Sequence, residues 1–132
     1  MLPKINPETT QSWQNLEDHF AQNDFDFRSL FQQNPNRFND FSIKRPGYLF
    51  DFSKNLIDQE TLNLLLKLAE ETQLKSAISA MFEGQKINET EDRAVLHTAL
   101  RDFSDDEILV DGENIKPGIK RVLDQMKTFS AK

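Results

Sequence analysis

The sequence predicts a mainly α-helical fold with one or two small β-hairpins, and three observations lead to this prediction. Apolar residues recur at spacings of three and four in several separate segments, as they do on one face of a helix. Residues that start or stop helices, such as Asn, Asp, Pro and Gly, stand at the ends of these segments. Two short apolar runs lie next to turn dipeptides and have the length of strands.

The first helix is predicted to begin at residues 6–8, which read Asn-Pro-Glu. Asn is a good N-cap, Pro suits the first helical position, and Glu complements the positive end of the helix dipole. Three apolar residues then follow at helical spacing: Trp13, Leu16 and Phe20. A second short helix is expected around residues 27–31, and the Asn-Pro-Asn at 34–36 should end it.

Two turn dipeptides predict the β elements. Pro46-Gly47 separates residues 41–43 from 48–52, whose aromatic content favours strands, so we expect a small hairpin there. Residues 108–110 form a short apolar run before Asp111-Gly112, which predicts a second strand and tight turn.

The clearest helix is predicted from Asp58, its N-cap, to about Gln73. Its inward face is expected to comprise Leu62, Leu65, Leu66 and Ala69. Leu64 and Leu68 widen this face, which indicates cover on more than one side.

Two further helices complete this part of the prediction. A shorter one should run from 74 to 82 and stop at Gly84. The last helix should start at Pro117. Its apolar face is predicted to comprise Ile119, Val122, Leu123, Met126 and Phe129.

Residues 88–91 have the pattern of a capping box and predict a helix from Asn88 to about Leu100. On that helix Arg93, His97 and Arg101 would share one face, because they are four residues apart. Such a face could meet an anion or a carboxylate. Alternatively, the arginines pair with nearby acids such as Glu91, and His97 is a packed residue.

Charge and composition exclude several classes of partner. The 132 residues carry a formal net charge of −6 with no basic stripe, which argues against nucleic acid, since phosphate binding needs clustered Lys and Arg. There is no cysteine, so a disulfide framework and a thiolate metal site are excluded. No signal-peptide core or membrane-spanning run is seen, so we expect no membrane contact and a cytoplasmic location.

The sequence also lacks the usual catalytic signatures. Its four glycines stand far apart, so none forms a phosphate-binding loop, and two histidines without cysteine do not provide a zinc cluster. The apolar fraction of 37% is low beside the usual range, which is about 45–50% when Gly is included, and eleven phenylalanines have no polar group to satisfy. We therefore expect some apolar surface to be covered by a partner.

Several stretches together resemble the glucose-6-phosphate isomerase family. They are LFDFSKN at 49–55, MFEGQKIN at 81–88, TEDRAVLH at 90–97 and ALR at 99–101, with further matches at 108–112 and 122–129. The order and spacing hold from about Trp13 to the C-terminus. One departure is Asp92, where the family commonly has Gly. At the N-terminus of the predicted helix an Asp is well tolerated, so the departure costs the resemblance little.

The resemblance implies that residues 1–132 are the N-terminal helical segment of a larger isomerase. That family interconverts glucose 6-phosphate and fructose 6-phosphate in glycolysis and gluconeogenesis, without a metal or an organic cofactor. Its proton-transfer groups and phosphate loop belong to two sugar-isomerase-type α/β domains that follow this segment. No catalytic or substrate-binding residue is therefore expected here, and the isolated chain should be inactive.

The same resemblance implies partners and a role. The segment should pack on the absent α/β domains, with the predicted 88–101 helix and the last helix as docking faces, in a protein that forms a homodimer. Only the full-length protein would bind the sugar phosphate. Arg93, His97, Arg101 and Glu91 are expected to form a charge network that supports the site without contacting sugar.

Two other functions remain open. The chain could be an independent helical interaction module, which would unfold cooperatively as a monomer. It could also be a truncated pseudo-enzyme. A docking segment should instead show weak cooperativity, exposed apolar surface or self-association.

Overall fold

A computed structural model describes residues 2–131, about half of which are helical, and it confirms the predicted mainly α fold with small hairpins. The helices are α1 (Gln11–Gln22), α2 (Phe27–Gln33), α3 (Arg37–Asp40), α4 (Gln59–Glu71), α5 (Leu74–Phe82) and α6 (Lys116–Ser130). The strands are β1 (Ser42–Arg45), β2 (Tyr48–Asp51), β3 (Leu109–Val110) and β4 (Glu113–Asn114). Two single-turn 3-10 helices lie at Pro7–Thr9 and Ala99–Arg101.

The chain divides into two compact units. One comprises residues 5–72, and the other runs from Gln73 onwards and includes the residues before Ile5. Among the described residues, no helix has the length and apolar character needed to cross a membrane.

In the first unit, the predicted N-terminal helix is divided in two. Asn6 caps only the 3-10 turn, by accepting a hydrogen bond from the Glu8 N–H at 3.1 Å. Thr10 is extended, with ψ 154°, and its hydroxyl accepts from the Trp13 N–H to start α1. The prediction of one helix from residue 6 is therefore wrong, because a second N-cap at Thr10 restarts the chain.

Helices α1 and α4 pack antiparallel and are joined at both ends. At one end, the carboxylate of Glu71 accepts hydrogen bonds from the hydroxyl of Ser12 at 2.7 Å and from its backbone N–H at 3.3 Å. At the other end, Nε2 of His19 donates to the carboxylate of Asp58 at 3.0 Å. Asp58 also caps α4 by accepting from the Thr61 N–H, as predicted.

The inward face of α4 differs from the prediction. Leu64 is the buried residue, at 3% exposure, whereas Leu65 and Leu66 are 42% and 58% exposed. The apolar arc of α4 is wider than the contact that α1 makes with it, and periodicity alone does not say which part of a wide arc is covered. Cover of α4 on more than one side therefore stays a prediction.

Both predicted β elements are present. Strands β1 and β2 form an antiparallel hairpin in which Arg45 pairs with Tyr48, and Gly47 takes a φ of +78° in the turn. Strands β3 and β4 pair across the Asp111-Gly112 turn. Each sheet has only two strands, and sheets of this size are marginally stable unless another surface covers them.

In the second unit, α5 ends where Gly84 turns the chain, as predicted. Gly84 has a φ of +72°, and a Cβ atom at this position would lie 2.8 Å from the carbonyl oxygen of Leu109. The glycine therefore permits both the left-handed conformation and the close approach of the chain to β3. Helix α6 also begins at the predicted place, with Pro117 in its first turn.

The chain buries little apolar surface. Its accessible surface is 10583 Å². Two separate compact units of half its mass each would expose about 8,700 Å² in total. The fully buried apolar residues among those described are Phe41, Leu64, Ala80 and Ala99. Each unit thus has a small core and leaves most of its apolar side chains partly exposed.

Candidate functional site

The predicted helix from Asn88 to Leu100 is absent, and this segment forms a closed turn followed by an irregular stretch. The backbones of Asn88 and Arg93 exchange two hydrogen bonds of 3.1 Å, as residues in a tight hairpin do. The single helical feature after this turn and before β3 is the 3-10 turn at Ala99–Arg101. The prediction of an α-helix here is therefore wrong.

One of the two capping-box hydrogen bonds is nevertheless present, whereas the backbone N–H of Asn88 donates to Arg93 and not to Glu91. Oδ1 of Asn88 accepts from the Glu91 N–H at 3.3 Å, while Nδ2 of Asn88 donates to the Glu91 carboxylate at 3.2 Å. No helix follows because Asp92 takes a φ of +50°, in the left-handed region, and reverses the chain. The same three-residue spacing thus serves a closed turn instead of a helix start.

The residues proposed as a charge network do not share one face. Arg93 lies 3.7 Å from the carboxylate of Glu91, and both side chains are well exposed. The guanidinium of Arg101 donates to the backbone carbonyl of His97 at 3.2 Å, away from the imidazole ring. His97 itself is exposed. The predicted stacking of Arg93, His97 and Arg101 required an α-helix, and it is absent because the helix is absent.

Lys86 joins this turn to the β3–β4 turn, and sequence reasoning did not predict this contact. Its ammonium group lies 3.2 Å from the carboxylate of Asp92 and 3.1 Å from that of Asp111, in the β3–β4 turn. Hydrogen bonds to Asp111 and Asp92 raise the pKa of Lys86. A lysine 25 positions before its partner carries no local pattern that spacing rules could detect.

A second cluster joins the start of α6 to the preceding loop. The ammonium group of Lys116, which is mostly buried, donates to the Asp102 carboxylate at 3.1 Å and to the Ser104 carbonyl oxygen. Hydrogen bonds from Ser104, together with Lys116, lower the pKa of Asp102. Sequence reasoning also missed this cluster, because its members are one aspartate, one serine and one lysine with no distinctive spacing.

The shifted pKa values among the described residues all favour the charged form of the group. The carboxyl pKa values of Asp26, Asp51, Asp58, Glu71 and Asp102 are lowered, and that of Lys86 is raised. A carboxyl group that acts as a general base near neutral pH requires the opposite shift. The described residues also contain no group of acids and histidines arranged to hold a metal. The hydrogen bonds and ion pairs that cause these shifts stabilise turns and helix ends.

The apolar face of α6 is exposed. Met126 is 61% exposed and Phe129 is 82% exposed, and Val122 and Leu123 are also exposed. Beside this helix lies an open groove of about 620 Å³, whose wall includes Leu100 and Phe103. An apolar surface of this kind is typical of a protein–protein contact.

The β1–β2 hairpin carries a second exposed apolar surface, on the other unit. Tyr48 and Phe50 are alternate residues of β2 and so lie on one face, where their rings stack with centroids 6.4 Å apart. Both side chains are more than half exposed.

A comparison with protein-family models identifies a family for this chain. The model described as phosphoglucose isomerase matches residues 51–132, which is more than half of the chain. The matched region includes the Asn88–Arg93 turn, the Lys86 cluster and the exposed face of α6. The chain therefore belongs to the phosphoglucose isomerase family, which is the glucose-6-phosphate isomerase family that its motifs resemble.

Proposed function

We propose that residues 1–132 are the N-terminal segment of a cytoplasmic enzyme that interconverts glucose 6-phosphate and fructose 6-phosphate in glycolysis and gluconeogenesis. The match to the phosphoglucose isomerase family over residues 51–132 carries this proposal. The reaction moves a proton between C2 and C1 of the opened sugar and needs no metal or organic cofactor. The groups that move the proton belong to α/β domains outside these residues.

The role of the segment itself is structural on this proposal. Helix α6 presents Val122, Met126 and Phe129 on one exposed face, at the spacing of an amphipathic helix that lies in a groove. We propose that this face binds the catalytic α/β domains of the same protein, which assembles as a homodimer. The direction of the shifted pKa values supports a scaffold, because each is explained by a helix cap, a turn, an ion pair or a hydrogen bond between helices.

We also propose a supporting role for four charged or titratable residues, which now rests on their exposure and not on a shared helix face. Glu91, Arg93, His97 and Arg101 are all exposed, and the only ion pair between them is Arg93–Glu91. The basic residues would therefore act by contacting acidic or polar groups of the docked domains, and Glu91 by contacting basic or polar groups. They would not form a preassembled network.

Complementation between two separately produced polypeptides tests the proposal. Residues 1–132 alone should show background turnover of fructose 6-phosphate in a coupled assay. Co-expression with the catalytic domains of a phosphoglucose isomerase should give a complex that co-purifies and is active. Turnover by the 132-residue chain alone would contradict the inactive role, and an inactive complex would contradict the assigned reaction.

The substitution Met126→Asp tests the docking face within the same experiment. It places a charge in the middle of the apolar stripe, and we expect it to abolish co-purification, because burying an unpaired carboxylate is costly. Thr128→Asp is the matched control: it adds the same charge to the same part of α6 but away from the stripe. Equal effects of the two substitutions would contradict docking through this face.

A further inference from the structure

Arg37 is a buried cation without a carboxylate partner. It lies at the start of α3 and is only 2% exposed. None of the ion pairs among the described residues includes it. A buried charge is unfavourable unless other polar groups compensate it, so the surroundings of this guanidinium group must supply that compensation.

Three backbone carbonyl groups supply it. Nε of Arg37 donates to the carbonyl oxygen of Ser53 at 2.7 Å, and Nη2 donates to those of Asn55 and Ile57 at 2.8 and 2.7 Å. The three acceptors belong to alternate residues of one segment, which therefore curves around the guanidinium group. The Cζ atom of Arg37 also lies 4.4 Å from the centroid of the Phe41 ring, in cation–π geometry.

The segment that carries these carbonyl groups is held in place by hydrogen bonds that do not involve Arg37. Oδ1 of Asp51 accepts from the backbone N–H and the hydroxyl of Ser53, at 2.9 and 2.6 Å. The N–H of Asn55 donates to the carbonyl of Phe52 at 3.1 Å, and that of Ile57 to the carbonyl of Asn55 at 2.9 Å. Strand β2 and helix α4 fix the two ends. The acceptors are thus oriented by the surrounding fold.

We propose that residues 53–57 and the ring of Phe41 form a guanidinium-binding site in which Arg37 is a tethered ligand. A planar cation with several N–H donors matches acceptors along one edge and an aromatic face at the same time. An alkylammonium ion has its donors in a tetrahedral arrangement and does not. When the Arg37 side chain is shortened, the site therefore takes up a small free guanidinium ion. This inference does not depend on the proposed isomerase function.

The test uses the 132-residue chain with Arg37→Ala and methylguanidinium as the added ligand. Hydrogen exchange of the Asn55 and Ile57 amides is the readout, because both are hydrogen-bonded within the segment. The substitution removes three bonds to a charged donor, so exchange should accelerate by more than about tenfold. Millimolar methylguanidinium should reverse this acceleration in a saturable way, as a ligand of the native state does.

Three controls make the result specific. Methylammonium at equal concentration should give no rescue. The wild-type chain should not respond to methylguanidinium, because Arg37 fills its site. Arg28→Ala removes an exposed arginine of α2. In this variant, hydrogen exchange of the Asn55 and Ile57 amides should match the wild type, with or without methylguanidinium.

The proposal can also be tested if Arg37→Ala unfolds the chain. If Arg37→Ala is unfolded, methylguanidinium should restore its helical circular dichroism, and methylammonium should not. Equal effects of the two ions, or no recovery of either exchange or circular dichroism at saturating concentration, would overturn the proposal.

Discussion

At the scale of single residues, Asp92 shows how a correct local pattern led to a wrong element. The three-residue spacing of Asn88 and Glu91 predicts that the Asn88 side chain accepts from the Glu91 N–H, and this hydrogen bond is present. The left-handed conformation of Asp92 decides that a turn follows. The expectation that Asp92 lies at a helix N-terminus is therefore wrong, and the usual family residue, Gly, is explained by its tolerance of positive φ. Asp is one of the few other residues that adopt this conformation.

Asp92→Gly should stabilise its unit by about 0.5–1 kcal/mol, because it relieves the backbone strain of the left-handed conformation. The ion pair that it removes, with Lys86, involves an exposed carboxylate and contributes little. Urea unfolding measures the change. Asp92→Ala is the control, because it loses the same ion pair but keeps the strain, and it should destabilise. A glycine variant less stable than the alanine variant would contradict this explanation.

Gly84→Ala should destabilise the second unit by more than about 1 kcal/mol, because the left-handed backbone disfavours a side chain. The close approach to the Leu109 carbonyl oxygen, at 2.8 Å, adds to this cost because backbone has to move. Gly118→Ala is the matched control: it lies in α6 with no atom near the added Cβ and should stabilise the helix. Thermal unfolding distinguishes the two, and equal shifts would contradict the contact with β3.

At the scale of elements, local signals predicted most helices but not their partners. The start of α4 at Asp58 and the end of α5 near Gly84 were predictable, because caps are encoded within a few residues. The bond from Ser12 to Glu71 joins residues 59 positions apart, and no spacing rule connects them. The covered side of α4 depends on the same tertiary contact, so the prediction of Leu65 and Leu66 as inward residues was wrong.

The pairing of α1 with α4 should weaken in acid. The hydrogen bond from the Ser12 hydroxyl, with others from α1, lowers the pKa of Glu71 below its ordinary value of 4.5. A lowered carboxyl pKa contributes stability that is complete above the unfolded-state value and is lost as the pH falls through the folded-state value. The urea midpoint of the first unit should therefore drop below about pH 4.5.

The substitution Glu71→Gln isolates this contribution. It keeps an acceptor for Ser12 but cannot ionise, so the variant should be less stable than wild type at pH 6 and closer to it at pH 3. Asp58 contributes with the same sign: partial burial raises its pKa, but bonds from Thr61 and His19 outweigh this and lower it. If the difference in stability between Glu71→Gln and wild type is the same at pH 6 and pH 3, the ionised carboxylate of Glu71 does not contribute as described.

At the scale of the whole molecule, the surface is larger than its mass requires. Exposure of 10583 Å² and four fully buried apolar residues among those described leave much of the apolar pattern without cover. The low apolar content and the many phenylalanines predicted that some apolar surface would stay exposed, because this property depends on overall composition. The sequence could not predict which faces stay open, because that depends on how each helix meets its neighbours.

The central claim is that the exposed face of α6 is covered by the catalytic domains, and thiol labelling tests it most directly. The chain contains no cysteine, so Met126→Cys introduces a single reporter, with Thr128→Cys as its control. In the isolated chain both thiols should react rapidly. In complex with the catalytic domains, the rate at position 126 should fall by at least about tenfold, while that at 128 stays high. Equal rates at position 126 in the free chain and in the complex would contradict the claim.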